Sequence, residues 1–217
     1  MGPGREGIPV RDRRRERRFA GSVQRALAAS RISLHVRARL LINNAGISLQ
    51  NDLSDRAALE GLLAVNLFGT YDATHAFLPV LARSRSAIVN VLSLASIAAV
   101  PFDSLYSISK AAAFSLSQSL RALLAGRGIS VYTVLPGPLD TDMSRNLDIP
   151  KASPESTAQA ILDGVEKEDE EIFPDPMSEA IAEGWRSSAV KALQRQFAAY
   201  VAQTPIKSSA TLASMRR

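Results

Sequence analysis

The chain has 217 residues, 46% of them hydrophobic, which is enough to bury the core of one domain. It contains no cysteine and only two histidines, His35 and His75, so a disulfide framework, thiol catalysis and a thiolate or histidine metal cluster are excluded. The formal charge of +5 is uneven: residues 1–39 hold eleven arginines, no lysine and three acids, while the rest of the chain carries more acids than bases.

Residues 1–39 read as an atypical Arg-rich segment, disordered or partly helical, with 21–30 able to form a short helix and 32–36 a makeshift strand. Gly2, Gly4 and Gly7 satisfy G-x-G-x-x-G, but no strand can precede residue 2, Pro3 stiffens the turn and the arginine run 11–18 follows, so a phosphate loop is rejected. With Phe19 as its one nearby aromatic, that run reads as a solvated arm; a nucleic-acid contact is a remote alternative. An arginine-rich, lysine-free stretch also suggests a misassigned start site or a shifted reading frame. No apolar run of about 20 residues offers a membrane span and the start lacks the apolar core of a signal peptide, so a cytoplasmic address is expected.

The first buried strand is LLINNAGI, residues 40–47, which breaks at Asn43, Asn44, Ala45 and Gly46. Side-chain amides and a glycine suit a turn that lets a ligand approach the backbone. Residues 55–81 place Leu59, Leu62, Leu63 and Asn66 at helical spacing, and Pro79 is expected to kink or end that helix. AIVNVLS, 87–93, reads as a second strand with Ser93 at its carboxyl edge, where open α/β sheets bind ligands. A helix from Ser104 to about Ala125 follows, stopped by Gly126 and Gly128, with Phe114, Leu120, Leu123 and Leu124 as core or dimer-contact positions. ISVYTVLP, 129–136, is a third strand, and Gly137, Pro138, Leu139, Asp140 and Thr141 form the turn after it.

Beyond that turn, 144–152 is polar and punctuated by proline. Ser153 is expected to cap a helix over 154–166. The acidic run 166–171 reads as a solvated turn, IFPDP as a short last strand, and 177–201 as one amphipathic helix holding the sole tryptophan, Trp185. Residues 202–217 read as a flexible tail.

Within the helix that starts at Ser104, Tyr106 and Lys110 lie one turn apart on one face. A positive charge at about 4 Å, with an effective dielectric of about 20, favours phenolate by ~4 kcal/mol. Such a neighbour would bring a tyrosine towards the range useful for acid–base chemistry.

Taken together these motifs resemble the short-chain dehydrogenase/reductase family. Its NNAG turn is matched by Asn43 to Gly46, its catalytic asparagine by Asn66, its serine by Ser93, its YxxxK pair by Tyr106 and Lys110, and its PG-x-x-x-T segment by Pro136, Gly137 and Thr141. Where the family often has two serines this chain has Leu92 and Ser93, which keeps the catalytic one; Ser96 competes by composition but its spacing from Tyr106 does not fit. The resemblance implies an α/β fold with a Rossmann-like, doubly wound parallel sheet in three α/β/α layers, N-terminally incomplete, over residues 40–201. It implies catalysis by Asn66, Ser93, Tyr106 and Lys110, and binding of NAD or NADP by Asn44, Ala45, Gly46, Tyr106, Lys110, Pro136, Gly137, Leu139 and Thr141, without a preference between the two. A small-molecule alcohol or carbonyl would be the substrate, 144–152 a mobile substrate loop with Met143, Leu147 and Ile149 facing it, and the assembly a homodimer or homotetramer.

One departure limits that expectation. The family's TGxxxGxG pattern appears nowhere in the chain, and 39 residues precede Leu40 where three strand-and-helix repeats would need about 75. The chain is therefore expected to expose the edge of an apolar strand and to bind a dinucleotide poorly. A catalytically silent relative is the alternative reading.

Overall fold

A computed structural model describes residues 39–49 and 53–203, all within one compact unit. The expectations placed on residues 1–38 and on most of the tail lie outside the described residues.

Four strands form one parallel sheet in the order β1-β2-β3-β4, with β1 at Leu40–Asn43, β2 at Ser86–Val91, β3 at Ile129–Val134 and β4 at Glu171–Ile172. Leu40 pairs with Ala87, Ser86 with Ile129 and Thr133 with Glu171, so sequential strands are neighbours and the described part of the sheet winds in one direction. The expected strand-helix alternation is present. Leu41, Ile88 and Val131 point to one face, where they pack with Leu78, Leu81, Leu120 and Leu124. Val89, Tyr132 and Val134 point to the other and meet Ile172, Ile161 and Val165. This two-sided burial is why each strand reads as a continuous apolar run.

The helices of the first face are α1 at Arg56–Leu63, α2 at Thr70–Leu81 and α3 at Ser104–Leu124. Between α1 and α2, Ala64–Gly69 is a π-helical segment holding Asn66; such widenings re-aim side chains and concentrate at functional sites. Pro79 lies exposed inside α2, which ends two residues past it at Leu81. Gly128 takes φ 69°, the left-handed conformation that lets the chain turn from α3 into β3.

The second face is covered by α4 at Pro154–Glu166, capped as expected by Ser153, whose side chain accepts from Ser156 N. Gly164 allows this approach, because a Cβ there would come within 2.8 Å of Ile172. At the far end of the same face, Leu40 and Ile42 are 40% and 48% exposed.

Two expectations for the C-terminal region are corrected. The single helix over 177–201 is two, α5 at Pro176–Arg186 and α6 at Ala189–Gln203. Serine pairs its hydroxyl with nearby backbone and so favours helix ends: Ser187 Oγ donates to Glu183 O, and Ser188 Oγ accepts from Lys191 N. Nor is the acidic run simply solvated. Glu171 is 5% exposed and accepts from Arg121 Nη1 at 2.6 Å and Lys191 Nζ at 2.5 Å, with Lys191 itself 2% exposed. Burial pushes the Glu171 carboxyl up, but Arg121 and Lys191 outweigh it and hold the group below the ordinary 4.5. No helix among the described residues is long and apolar enough to cross a membrane.

Replacing Glu171 by Ala leaves Lys191 and Arg121 short of a buried counter-charge and should lower stability by about 3 kcal/mol in urea unfolding. In the parent chain the Glu171 contribution should be complete above pH 4.5 and disappear as pH falls through the lower folded value, which acid unfolding of the two chains compares.

Candidate functional site

The carboxyl ends of β1, β2 and β3 open into three turns that meet over α3. After β1, Asn43 Nδ2 donates to Asn90 Oδ1 at 2.8 Å and to Thr74 Oγ1 at 3.3 Å, and Asn90 Nδ2 donates to Ser117 Oγ at 2.9 Å. This polar row ties the first two strands to α2 and α3 below the turn. Asn43 thus braces the sheet, while Asn44 and Ala45 remain exposed at its edge.

Asn66 is 1% exposed and joins the first turn to α3. Its Nδ2 donates to Ile47 O and Ser109 Oγ, both at 2.9 Å, and its Oδ1 accepts from Ile47 N at 2.9 Å. Ser109 Oγ in turn donates to Tyr106 O at 2.7 Å. Gly46 sits in the remaining space: a Cβ on it would lie 3.3 Å from Lys110 Nζ and 3.4 Å from Asn66 Oδ1.

The second turn begins at Ser93, the N-cap of a 3₁₀ turn over Leu94–Ser96, where its Oγ accepts from Ala95 N. Leu94 N donates to Pro136 O at 2.9 Å, joining this turn to the third one. Ser93 lies near enough to the Tyr106 phenol to favour its ionised form. Ser96 is buried with its hydroxyl unpartnered, so the structure brings Ser93, and not its competitor, to the tyrosine.

Lys110 is 5% exposed, its Nζ 5.6 Å from the Tyr106 ring centroid and 3.3 Å from Val91 O. Burial lowers the ammonium to about 8. Tyr106 is pushed up to about 12, first by burial and then by the charge of Asp103, with the Ser93 hydrogen bond opposing both. The expectation of a tyrosine pulled down by its lysine is therefore corrected. Losing water costs the phenolate more than the neighbouring groups return.

In the third turn Gly137 N donates to Asp175 Oδ2 at 2.8 Å, and a Cβ on Gly137 would meet Asp175 Oδ1 at 2.8 Å. Asp175 also caps α5 through Met177 N and Ser178 N. Leu139 bridges to Ala152, Ala152 N donates to Pro138 O, and exposed Thr141 caps a 3₁₀ turn at Asp142–Ser144. Segment 144–152 is thus pinned at both ends; Met143 and Ile149 are 53% and 44% exposed and Leu147 is half-buried.

Three residues of the site were not singled out from the sequence: Ser109, Asp103 and Asp175. Asp175 carried a signal, as an aspartate followed by proline and, three residues on, a serine, the pattern of a capped helix start. His75 packs on the Tyr71 ring within α2 and its Nδ1 donates to Tyr71 O at 2.9 Å, away from the candidate site. Among the described residues no group of His, Cys, Asp or Glu could hold a metal ion.

Residues 20–151 match the family model for short chain dehydrogenase. The chain belongs to the short-chain dehydrogenase family. A dehydrogenase/reductase SDR family protein 7-like from Anopheles gambiae is 32% identical over 177 residues, 74% of this chain and 54% of that protein. An inactive 2-(S)-hydroxypropyl-CoM dehydrogenase 2 from Xanthobacter autotrophicus is 37% identical, over 56% of this chain and 54% of that one. The short-chain dehydrogenase chain described here spans about half the length of the curated relatives it matches, 55% of an uncharacterized oxidoreductase from Staphylococcus saprophyticus among them. Among solved structures, a short chain dehydrogenase from Burkholderia cenocepacia in complex with NADP aligns with a TM-score of 0.69 and 35% identity, covering 82% of this chain and 73% of that one. Another, from Sphingobium yanoikuyae in complex with NADPH, gives 0.67 and 25%, covering 81% and 70%.

The unfolded chain holds the Lys110 proton up to pH 10.5, the folded one only to about 8, so stability should rise with pH across that window. Lys110→Met should remove this rise, on the order of 3 kcal/mol in full, and leave a chain more stable than the parent at pH 7. Urea unfolding of both chains between pH 7 and 10 measures it.

Proposed function

We propose that this chain is an NAD(P)-dependent oxidoreductase that interconverts a small-molecule alcohol and its carbonyl, with Tyr106 as the acid and base. The observation that carries this reading is the convergence of Ser93 on the Tyr106 phenol beside a buried Lys110, at the carboxyl edge of a parallel sheet. The complexes of the solved relatives with NADP and NADPH support it, without fixing which dinucleotide this chain prefers.

The residues present fit the nicotinamide ribose. Lys110 has three donors and places one, at 3.3 Å, on Val91 O; Gly46 keeps the backbone beside that ammonium free of side chain. An under-satisfied buried cation next to a phenol suits a pair of adjacent hydroxyls. Asn44, Ala45 and Gly46 would lie along the ribose, with Pro136, Gly137, Leu139 and Thr141 towards the carboxamide. The nicotinamide dinucleotide, when bound, supplies or accepts the hydride. Ser93 would donate a hydrogen bond to the substrate oxygen and hold it near the phenol. Tyr106 would give its proton to that oxygen when a carbonyl is reduced and take one when an alcohol is oxidised. Lys110 would bind the ribose and, in its charged form, offset a phenolate. Asn66 would keep the first turn and α3 in register. A homodimer or homotetramer belongs to the same proposal, with Ile108 and Leu123 leaving apolar surface on α3.

A second reading, a chain that keeps this site but binds dinucleotide weakly and does not turn over, is favoured by the absence of TGxxxGxG from the 217 residues. One experiment separates the two: titration of NADH and NADPH, followed by turnover of a secondary alcohol and a ketone panel, with Tyr106→Phe beside the parent. The enzyme reading expects micromolar binding in both chains and a loss of turnover of roughly 10²- to 10⁴-fold in Tyr106→Phe. Millimolar binding with no turnover in the parent would select the second reading.

A further inference from the structure

The third turn, 136–141, has few backbone groups with which to hold its shape. Pro136 and Pro138 carry no N–H, so between Leu135 and Leu139 the one backbone donor is Gly137 N. That donor leaves the turn altogether and goes to Asp175 Oδ2 at 2.8 Å, 38 residues on. The carbonyls on either side are tied by backbone, Pro136 O to Leu94 N at 2.9 Å and Pro138 O to Ala152 N at 3.1 Å.

Asp175 is 5% exposed, and its two oxygens divide their work. Oδ1 accepts from Met177 N and Ser178 N, both at 3.1 Å, and so caps α5 by itself. Oδ2 accepts from Ser178 Oγ at 2.8 Å and from Gly137 N, so the second oxygen reaches out of the helix and into the turn. Pro176, in the first turn of α5, presets the backbone on which this carboxylate stands. Gly137 completes the fit, since a Cβ on it would lie 2.8 Å from Asp175 Oδ1 and 3.2 Å from Met177 Cβ. The helix that carries the clamp is seated in turn on α3: Trp185 of α5 meets the Phe114 ring edge-on, with 5.7 Å between centroids.

We propose that Asp175 is a positioning residue that clamps the third turn to the head of α5, and so sets the backbone of 136–141 for the nicotinamide end of a dinucleotide. The role at the dinucleotide rests on the enzyme reading; the hold on the turn does not. Through α5 the clamp refers this turn to α3, the helix of Tyr106 and Lys110, as well as to the sheet. A buried N–H that loses its acceptor has no water to turn to, so the turn must move when Oδ2 is taken away.

Two variants remove the clamp and spare the cap. In Asp175→Asn the amide oxygen serves Met177 N and Ser178 N, which sets an N–H₂ group against Gly137 N; in Asp175→Ser one oxygen still caps the helix but is too short to reach the turn. Amide exchange followed by NMR should show Gly137 N–H exchanging about tenfold or more faster in both variants, with Met177 and Ser178 as in the parent. Calorimetric titration of the full chain with NADH and with ADP-ribose, which lacks the nicotinamide ring, then reads the consequence. NADH should bind about tenfold more weakly to both variants, while ADP-ribose binds as to the parent. Unchanged Gly137 exchange, or exchange that rises equally at Met177 and Ser178, would overturn the proposal, and so would an equal weakening of both ligands, the sign of a general loss of structure. A parent chain that binds neither ligand would sink the enzyme reading, and the Gly137 exchange would still decide whether Asp175 holds the turn.

Discussion

Asn66 holds the site together, because one buried amide must satisfy its hydrogen bonds somewhere and here all three of them join two separate pieces of chain. It grips Ile47 from both sides, as donor and acceptor, and reaches Ser109 on α3, which is itself bonded to Tyr106 O. A side chain 1% exposed cannot exchange these partners for water, so leaving one unmet would carry the full desolvation cost, about 1–3 kcal/mol. The π-helical widening at Ala64–Gly69 is what brings the amide to that position. Gly46 lies between it and the Lys110 ammonium.

The sheet supplies the rest of the rigidity. Its two apolar faces are covered by α2 and α3 on one side and α4 on the other, and the turns at the carboxyl ends are tied laterally by Leu94 N to Pro136 O and Gly137 N to Asp175 Oδ2. Below them, Arg121, Glu171 and Lys191 hold α3, β4 and α6 by buried charge. Such a cluster adds little net stability compared with apolar packing of the same volume, but it is costly to break and allows few alternative arrangements.

Water exclusion accounts for the electrostatics. The same burial that fixes Lys110 disfavours its charged form, and the same burial around Tyr106 favours the neutral phenol. A charge pair one turn apart on a helix suggested the opposite. Pairwise Coulomb reasoning leaves out the solvation that both groups lose, and here that loss is the larger effect.

Much of this was legible in the sequence. The strands at 40–43, 86–91 and 129–134 announced themselves as apolar runs, the Tyr106 helix by its stop at Gly126 and Gly128, and the family by the order of the motifs that hold Asn66, Ser93, Tyr106 and Lys110. What could not be read were effects set by partners far away in the chain. Glu171 looks solvated among its acidic neighbours until Arg121 and Lys191 reach it across 50 and 20 residues. Asp103 drew no notice in the sequence, and only the fold brings Ser48, 55 residues earlier, to its carboxylate. Local sequence determined the elements and the chemical inventory, because periodicity and capping act within a few residues. Tertiary structure decided burial, and with it the direction in which Tyr106, Lys110 and Glu171 shift, because solvation depends on what the rest of the chain places alongside.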